Sequence, residues 1–169
     1  EERKFAFIQK ELSSFLTGLE NVLEIIVFSL NPNHFHFILK QLKENGIPNF
    51  MHKLGTSFTN YFNKKYNRSG SLFQGPYKAI HIDSNDYLLW LSAYVNGNIE
   101  IHQLAKAEFY EWSSYKFFLR KEENKILGDA SIILSQFGDL ENYKDFTERV
   151  IQESKNKKEM ERYLLERLK

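Results

Sequence analysis

The sequence predicts an α+β fold built on a largely antiparallel sheet. Two observations carry that expectation. Two β-rich runs, 21–30 and 33–40, are separated only by Asn31-Pro32-Asn33, which is turn chemistry, so they read as a hairpin. Helical periodicity then brackets the hairpin on both sides and continues to the end of the chain.

Residues 3–18 place apolar side chains at helical spacing and read as an amphipathic helix. Asn21 to Leu30 is rich in Val, Ile, Leu and Phe and reads as a strand; Asn33 to Lys40 is its hairpin partner. Gly46-Ile47-Pro48 breaks the chain. From Asn49 to Tyr66, Phe50, Leu54, Phe58, Tyr61 and Phe62 recur at helical spacing. Asn67-Arg68-Ser69-Gly70-Ser71 is a loop, and Tyr77 to Ile82 reads as a third strand. Asp83-Ser84-Asn85-Asp86 supplies N-cap candidates for a helix running to about Asn96. This order suits a ferredoxin-like antiparallel sheet with helices on one side. Such a layout needs one more strand before its first helix, and this chain is expected to start too late to contain it. The aromatic stretch 103–119 is expected to pack around the sheet edge. From Glu122 the pattern is helical and charged, with Gly128 and Gly138 as breaks and one or two amphipathic helices from Glu141 to Lys169.

Apolar residues make up 42% of the 169, so the chain is globular. Fifteen Phe and nine Tyr exceed what a core of this size needs, which leaves rings for stacking on bases, although most must be core. The absence of Cys excludes a disulfide framework and a thiolate zinc site. No apolar run reaches the ~20 residues of a membrane span and no signal peptide is visible, so no membrane partner and a cytoplasmic address are expected. Net charge is only +1, but residues 40–82 carry Lys40, Lys43, Lys53, Lys64, Lys65, Arg68 and Lys78 against Glu44 alone. A basic middle on a neutral chain fits a polyanion site on one surface, and it also fits an ordinary solvated face.

The densest chemistry is His34-Phe35-His36. A strand repeats every two residues, so both imidazoles leave one face of the sheet, and Phe35 between them is expected to enter the core. Two neutral ring nitrogens on one face are half of a divalent metal site, or simply two histidines on a solvated strand. Tyr94 and Asn98 are four apart and share a helical face. Tyr94 offers a phenol, and Asn98 an amide oxygen as third ligand, though Asn98 beside Gly97 also reads as a helix terminus. Tyr87, one heptad earlier, is the rival nucleophile. His52, His81 and His102 read as surface or DNA-facing residues and not as ligands.

Several motifs then occur in a recognisable order. Asn31-Pro32-Asn33-His34-Phe35-His36 resembles the PNHxH signature of REP-associated tyrosine transposases, of the HUH single-tyrosine (IS200-like) superfamily. Thr59-Asn60-Tyr61-Phe62-Asn63-Lys64-Lys65-Tyr66 is similar to that family's basic helix, and Arg68 through Gly75 to its R-x-G-x-L-[FW]-Q-G loop. Tyr94-Val95-x-x-Asn98 resembles its Y-[IV]-x-x-N-P motif, and Trp112-Ser113-Ser114-Tyr115 its WSSY. The resemblance covers roughly residues 1–120 and continues more weakly through Ile132 to Phe146. Two positions depart from it: Ile99 stands where the family has Pro, and Pro76 where a basic residue is common. The resemblance implies an HUH domain over 1–120 with a helical extension over 121–169. It implies a metal-dependent single-strand DNA endonuclease and strand transferase acting near hairpin DNA, as a monomer or homodimer. Tyr94 would be the nucleophile forming a 5′-phosphotyrosine, with His34, His36 and Asn98 holding Mg2+ or Mn2+. Lys53, Lys64, Lys65, Arg68, Gln74 and Lys78 would contact DNA, with Tyr61, Tyr66 or Phe73 stacking on bases. Three alternatives share parts of the pattern: a replication-initiation or relaxase-type nickase, a catalytically idle DNA-binding relative, and a metal-free RNA-binding module.

Overall fold

A computed structural model describes residues 22–120 and 127–167, with side chains through Glu159. The helix expected over 3–18 lies outside the described residues. The hairpin forms as expected, from β1 (Leu23–Leu30) and β2 (Phe35–Gln41), and pairs as an antiparallel two-stranded sheet. Its turn closes when the Asn31 N–H donates to the His34 carbonyl at 2.9 Å. The second edge of β1 is covered by short segments instead of a full strand. Leu30 N–H donates to the Trp112 carbonyl (2.8 Å), Ser114 N–H to Phe28 (2.9 Å) and Gly128 N–H to Ile25 (2.8 Å). Isolated bridges join Ser29 to Ser113 and Ile25 to Leu127. The aromatic stretch therefore does line the sheet edge, and these segments pair part of the outer edge of β1.

The chain divides into two compact units. The first contains Leu39–His81, whose main element is α1 (Gly46–Lys65). It begins three residues before the sequence suggests. Pro48 is tolerated because N–H groups of a first turn have no partner within the helix. Gln41 Oε1 instead accepts from the Ile47 N–H at 3.1 Å, and a Cβ on Gly46 would stand 2.6 Å from the Val22 carbonyl. The expected strand Tyr77–Ile82 does not form. Tyr77 and Ile80 are exposed, and a two-residue alternation without a neighbouring ladder leaves its backbone groups to water.

The second unit holds Ile25–Ile38 and the chain from Ile82 on. Its helices are α2 (Asn85–Asn96), α3 (Asn98–Ile101), α4 (Tyr115–Arg120), α5 (Ser131–Leu134) and α6 (Leu140–Arg167), with a 3-10 turn at Ala107–Phe109. Ser84 caps α2 as expected, its hydroxyl accepting from Tyr87 N–H at 3.4 Å. The segment from Glu141 is one continuous helix, entered through the positive φ (75°) of Gly138. Ile26, Val27 and Ile38 of the strands pack with Val95, Ile99, Ile101, Phe118, Tyr143 and Ile151 of the helices into one core. This corrects the side assigned to Phe35. Ile38 shares the parity of His34 and His36 and is buried, whereas Phe35 is half-buried with its ring 5.3 Å from Phe37. Among the described residues, the histidine-bearing face is thus the one that reaches this core, through Ile38.

Candidate functional site

The hairpin turn and the α2–α3 junction, both in the second unit, bring four expected residues together. His34 leaves the turn with its Nδ1 2.7 Å from Asn33 Oδ1. An acceptor there keeps the proton on Nδ1 and leaves a lone pair on Nε2. That Nε2 lies 3.1 Å from Asn98 Oδ1, itself an acceptor. One amide serves both: Asn31 Nδ2 donates to His34 Nε2 at 2.9 Å and to Asn98 Oδ1 at 2.7 Å. The His34 and His36 rings meet edge-on at 5.1 Å. His36 in turn lies edge-on to Tyr94 at 6.2 Å, and Tyr94 stacks on Trp90 at 5.2 Å with 15° between planes. Burial, and then the neighbouring charges of His34, His102 and Lys158, lower the His36 pKa to about 4. It is therefore a neutral imidazole at pH 7, the form that binds a metal.

Asn98 is placed by more than helix spacing. α2 ends at Asn96, Gly97 intervenes, and Asn98 opens α3 fully buried. Ile99, which stands where the resembled family has Pro, is 1% exposed in the core and leaves Asn98 aimed at His34. Two acceptors converging at 3.1 Å match the edge, about 3 Å, of an octahedron with bonds of 2.0–2.1 Å, so the spacing of this nitrogen–oxygen pair fits a shared divalent cation. Among the described residues, no group of three or more His, Asp or Glu side chains forms a metal cluster. A site here draws on the Asn98 amide beyond the two imidazoles.

Two residues beside the site are ones the sequence reading does not place in it. Asn31 was assigned only to the turn, yet its amide bridges His34 and Asn98; the sequence signal was its place three residues before His34. His102 is exposed as expected, but its ring lies 5.0 Å from His34. It sits four residues after Asn98, spacing that would have flagged it. Burial first, then Lys158 and His34, lower its pKa. Tyr87 is half-buried and two helical turns, roughly 10 Å, before Tyr94 along α2.

The other expected residues belong to the first unit. Lys53, Lys64, Lys65, Arg68, Gln74 and Lys78 are all exposed there. The loop after α1 is closed by its own motif. Arg68 donates to the Ser71 carbonyl at 3.0 Å, Asn63 Nδ2 donates to the Gly70 carbonyl at 2.9 Å, and Gly70 takes φ 91°. The Arg68 guanidinium also lies 5.6 Å from the Phe62 ring, so Arg68 shapes the loop as well as charging it. The Phe73 ring lies 6.2 Å from Phe58 of α1.

No helix among the described residues is long and apolar enough to cross a membrane. Comparison with curated proteins and with solved structures gives no match. The family described as Transposase IS200 like matches residues 6–98, more than half of the chain, and that span includes His34, His36, Tyr94 and Asn98. The chain belongs to the IS200-like transposase family.

Proposed function

We propose that this transposase is a metal-dependent single-strand DNA endonuclease and strand transferase acting beside hairpin DNA, as the REP-associated members do. The observation that carries the reading is the grouping of His34, His36, Asn98 and Tyr94 within one unit. His34, His36 and Asn98 would hold one Mg2+ or Mn2+, which when bound supplies Lewis-acid polarisation of the scissile phosphate. Trp90 and His36 restrict the Tyr94 ring from two sides and so orient its hydroxyl. That hydroxyl attacks phosphorus. The tyrosyl O–P bond forms as the P–O3′ bond breaks, the phenolic proton passes to solvent, and the departing 3′ oxygen takes up a proton. The products are a 5′-phosphotyrosine and a free 3′-OH. Attack by a 3′-OH reverses these changes and joins strands, with the number of phosphoester bonds unchanged and no external energy source. Lys53, Lys64, Lys65, Arg68, Gln74 and Lys78 would follow the phosphate backbone, with the partly exposed rings of Tyr66 and Phe73 stacking on bases.

The test is nicking of an end-labelled single strand carrying a hairpin, in Mg2+ or Mn2+ and in EDTA. His34→Ala/His36→Ala is expected to lose ~100-fold or more in rate, the size of a Lewis-acid contribution, while keeping most of its affinity for the hairpin. Equal nicking by this double variant and the unaltered protein would contradict the reading.

A further inference from the structure

Three atoms of the hairpin turn and α3 outline one small triangle. His34 Nε2 lies 3.1 Å from Asn98 Oδ1, and Asn31 Nδ2 lies 2.9 Å from the first and 2.7 Å from the second. Three ligands on one face of an octahedron with bonds of 2.0–2.1 Å stand about 3 Å apart, so all three edges match that spacing. The turn fixes two of the corners. The Asn31 N–H donates to the His34 carbonyl at 2.9 Å, and Pro32 between them stiffens the backbone. Asn98 supplies the third corner from a fully buried position. Its Oδ1 faces the triangle while its buried Nδ2 has no hydrogen-bond partner among the described residues. Turned the other way, this amide would donate to His34 Nε2; it presents its oxygen instead.

The Asn31 corner is a donor, and a cation needs an acceptor there. Asn31 Nδ2 gives its hydrogens to the two lone pairs that a metal would use. An entering cation repels this group, so the amide must swing aside or turn over. Turning over is the change its surroundings accommodate. Asn31 Oδ1 accepts from Ser29 Oγ at 3.4 Å. A hydroxyl donates or accepts, so after a half turn of the amide Ser29 Oγ accepts from Nδ2. The same half turn puts Oδ1 at the corner that Nδ2 holds now. An amide that swings aside loses all three contacts, whereas one that turns over keeps them with the roles exchanged.

We propose that Asn31 is a further ligand of the divalent cation, its amide turning over so that Oδ1 joins His34, His36 and Asn98. The inference rests on the metal-dependent reading above. It gives Asn31 two roles in succession. In the metal-free protein its N–H groups hold His34 and Asn98 at ligand spacing, and in the loaded protein its oxygen completes the face that they begin.

The experiment titrates the full chain with Mn2+ in the absence of DNA, reading free Mn2+ by its paramagnetic resonance signal, with thermal melts recorded with and without the ion. The unaltered protein is compared with Asn31→Leu, Asn31→Asp and His34→Ala/His36→Ala. Asn31→Leu keeps the size of the side chain and removes its oxygen. It is expected to weaken Mn2+ binding ~10-fold or more, since losing even an outer partner of a metal has an effect of that size. Asn31→Asp supplies oxygen without N–H. It is expected to bind Mn2+ more tightly than the unaltered protein and to gain more in melting temperature from the ion, because its carboxylate faces two acceptors until the ion arrives. Mn2+ affinity in Asn31→Leu equal to or above that of the unaltered protein overturns the inference, because an amide that only fills the empty position gives that result. Weaker binding by Asn31→Asp overturns it as well. Should Asn31→Leu fail to fold, Asn31→Ala takes its place under the same criteria. If the unaltered protein binds Mn2+ no better than His34→Ala/His36→Ala, the metal reading fails and the inference with it. Binding that is lost in the double variant but unchanged in Asn31→Leu fails the inference alone.

Discussion

One hydroxyl ties the sheet to the helix that carries Tyr94. Ser114 Oγ accepts from the Phe28 N–H of β1 at 3.0 Å and donates to Asn96 Oδ1 of α2 at 2.6 Å. Asn96 Nδ2 donates to Tyr143 Oη at 2.9 Å, which donates to Ser92 Oγ at 3.3 Å. Burial pushes the Tyr143 phenol up to about 12, so it stays a neutral hydroxyl able both to donate and to accept. Every member of this chain is buried, and a buried polar group stripped of its partner costs about 1–3 kcal/mol. Ser114→Ala strands two such groups at once and is expected to destabilise the protein by about 3 kcal/mol. Ser135→Ala, on the exposed surface, is expected to change stability by less than about 0.5 kcal/mol. Denaturant melts compare the two, and equal midpoints would show that the network contributes little. This also explains what the sequence revealed at Trp112-Ser113-Ser114-Tyr115. The motif was legible as a string, but its purpose was not, because the partners of Ser114 lie 86 and 18 residues away. Asn31 was half legible for the same reason. Its turn role is local, while its bond to Asn98 spans 67 residues.

Helices were easier to read than strands. α1 and α2 declare themselves by apolar spacing and by Ser84, both local signals. The alternation at Tyr77–Ile82 is equally local, but a strand exists only through a partner, which one segment of sequence does not name. The approach of α6 to α3 was not legible either. Gly97 reads as a helix stop, and it does follow α2, yet its φ of −83° is open to any residue. What it provides is space for Ile151. Gly97→Ala is expected to cost about 1–3 kcal/mol by overpacking. Adding Ile151→Val, which removes a methyl group from the crowded side chain, is expected to recover part of that loss. A double-mutant cycle of melts measures the coupling, and strict additivity of the two changes would contradict the close packing described here.

At the scale of the whole molecule, the candidate chemistry is concentrated in one unit and much of the candidate DNA-contact surface in the other. The ordered motifs pointed to an IS200-like transposase, and the family match bears out that kinship. The central claim is that Tyr94 attacks DNA within a site built by His34, His36 and Asn98. The most direct measurement is a denaturing gel of the protein incubated with Mn2+ and an end-labelled single strand bearing a hairpin, followed by mapping of the covalent adduct. The account predicts an adduct in the unaltered protein and in Tyr87→Phe, and none in Tyr94→Phe. An adduct that survives in Tyr94→Phe and disappears in Tyr87→Phe would contradict it.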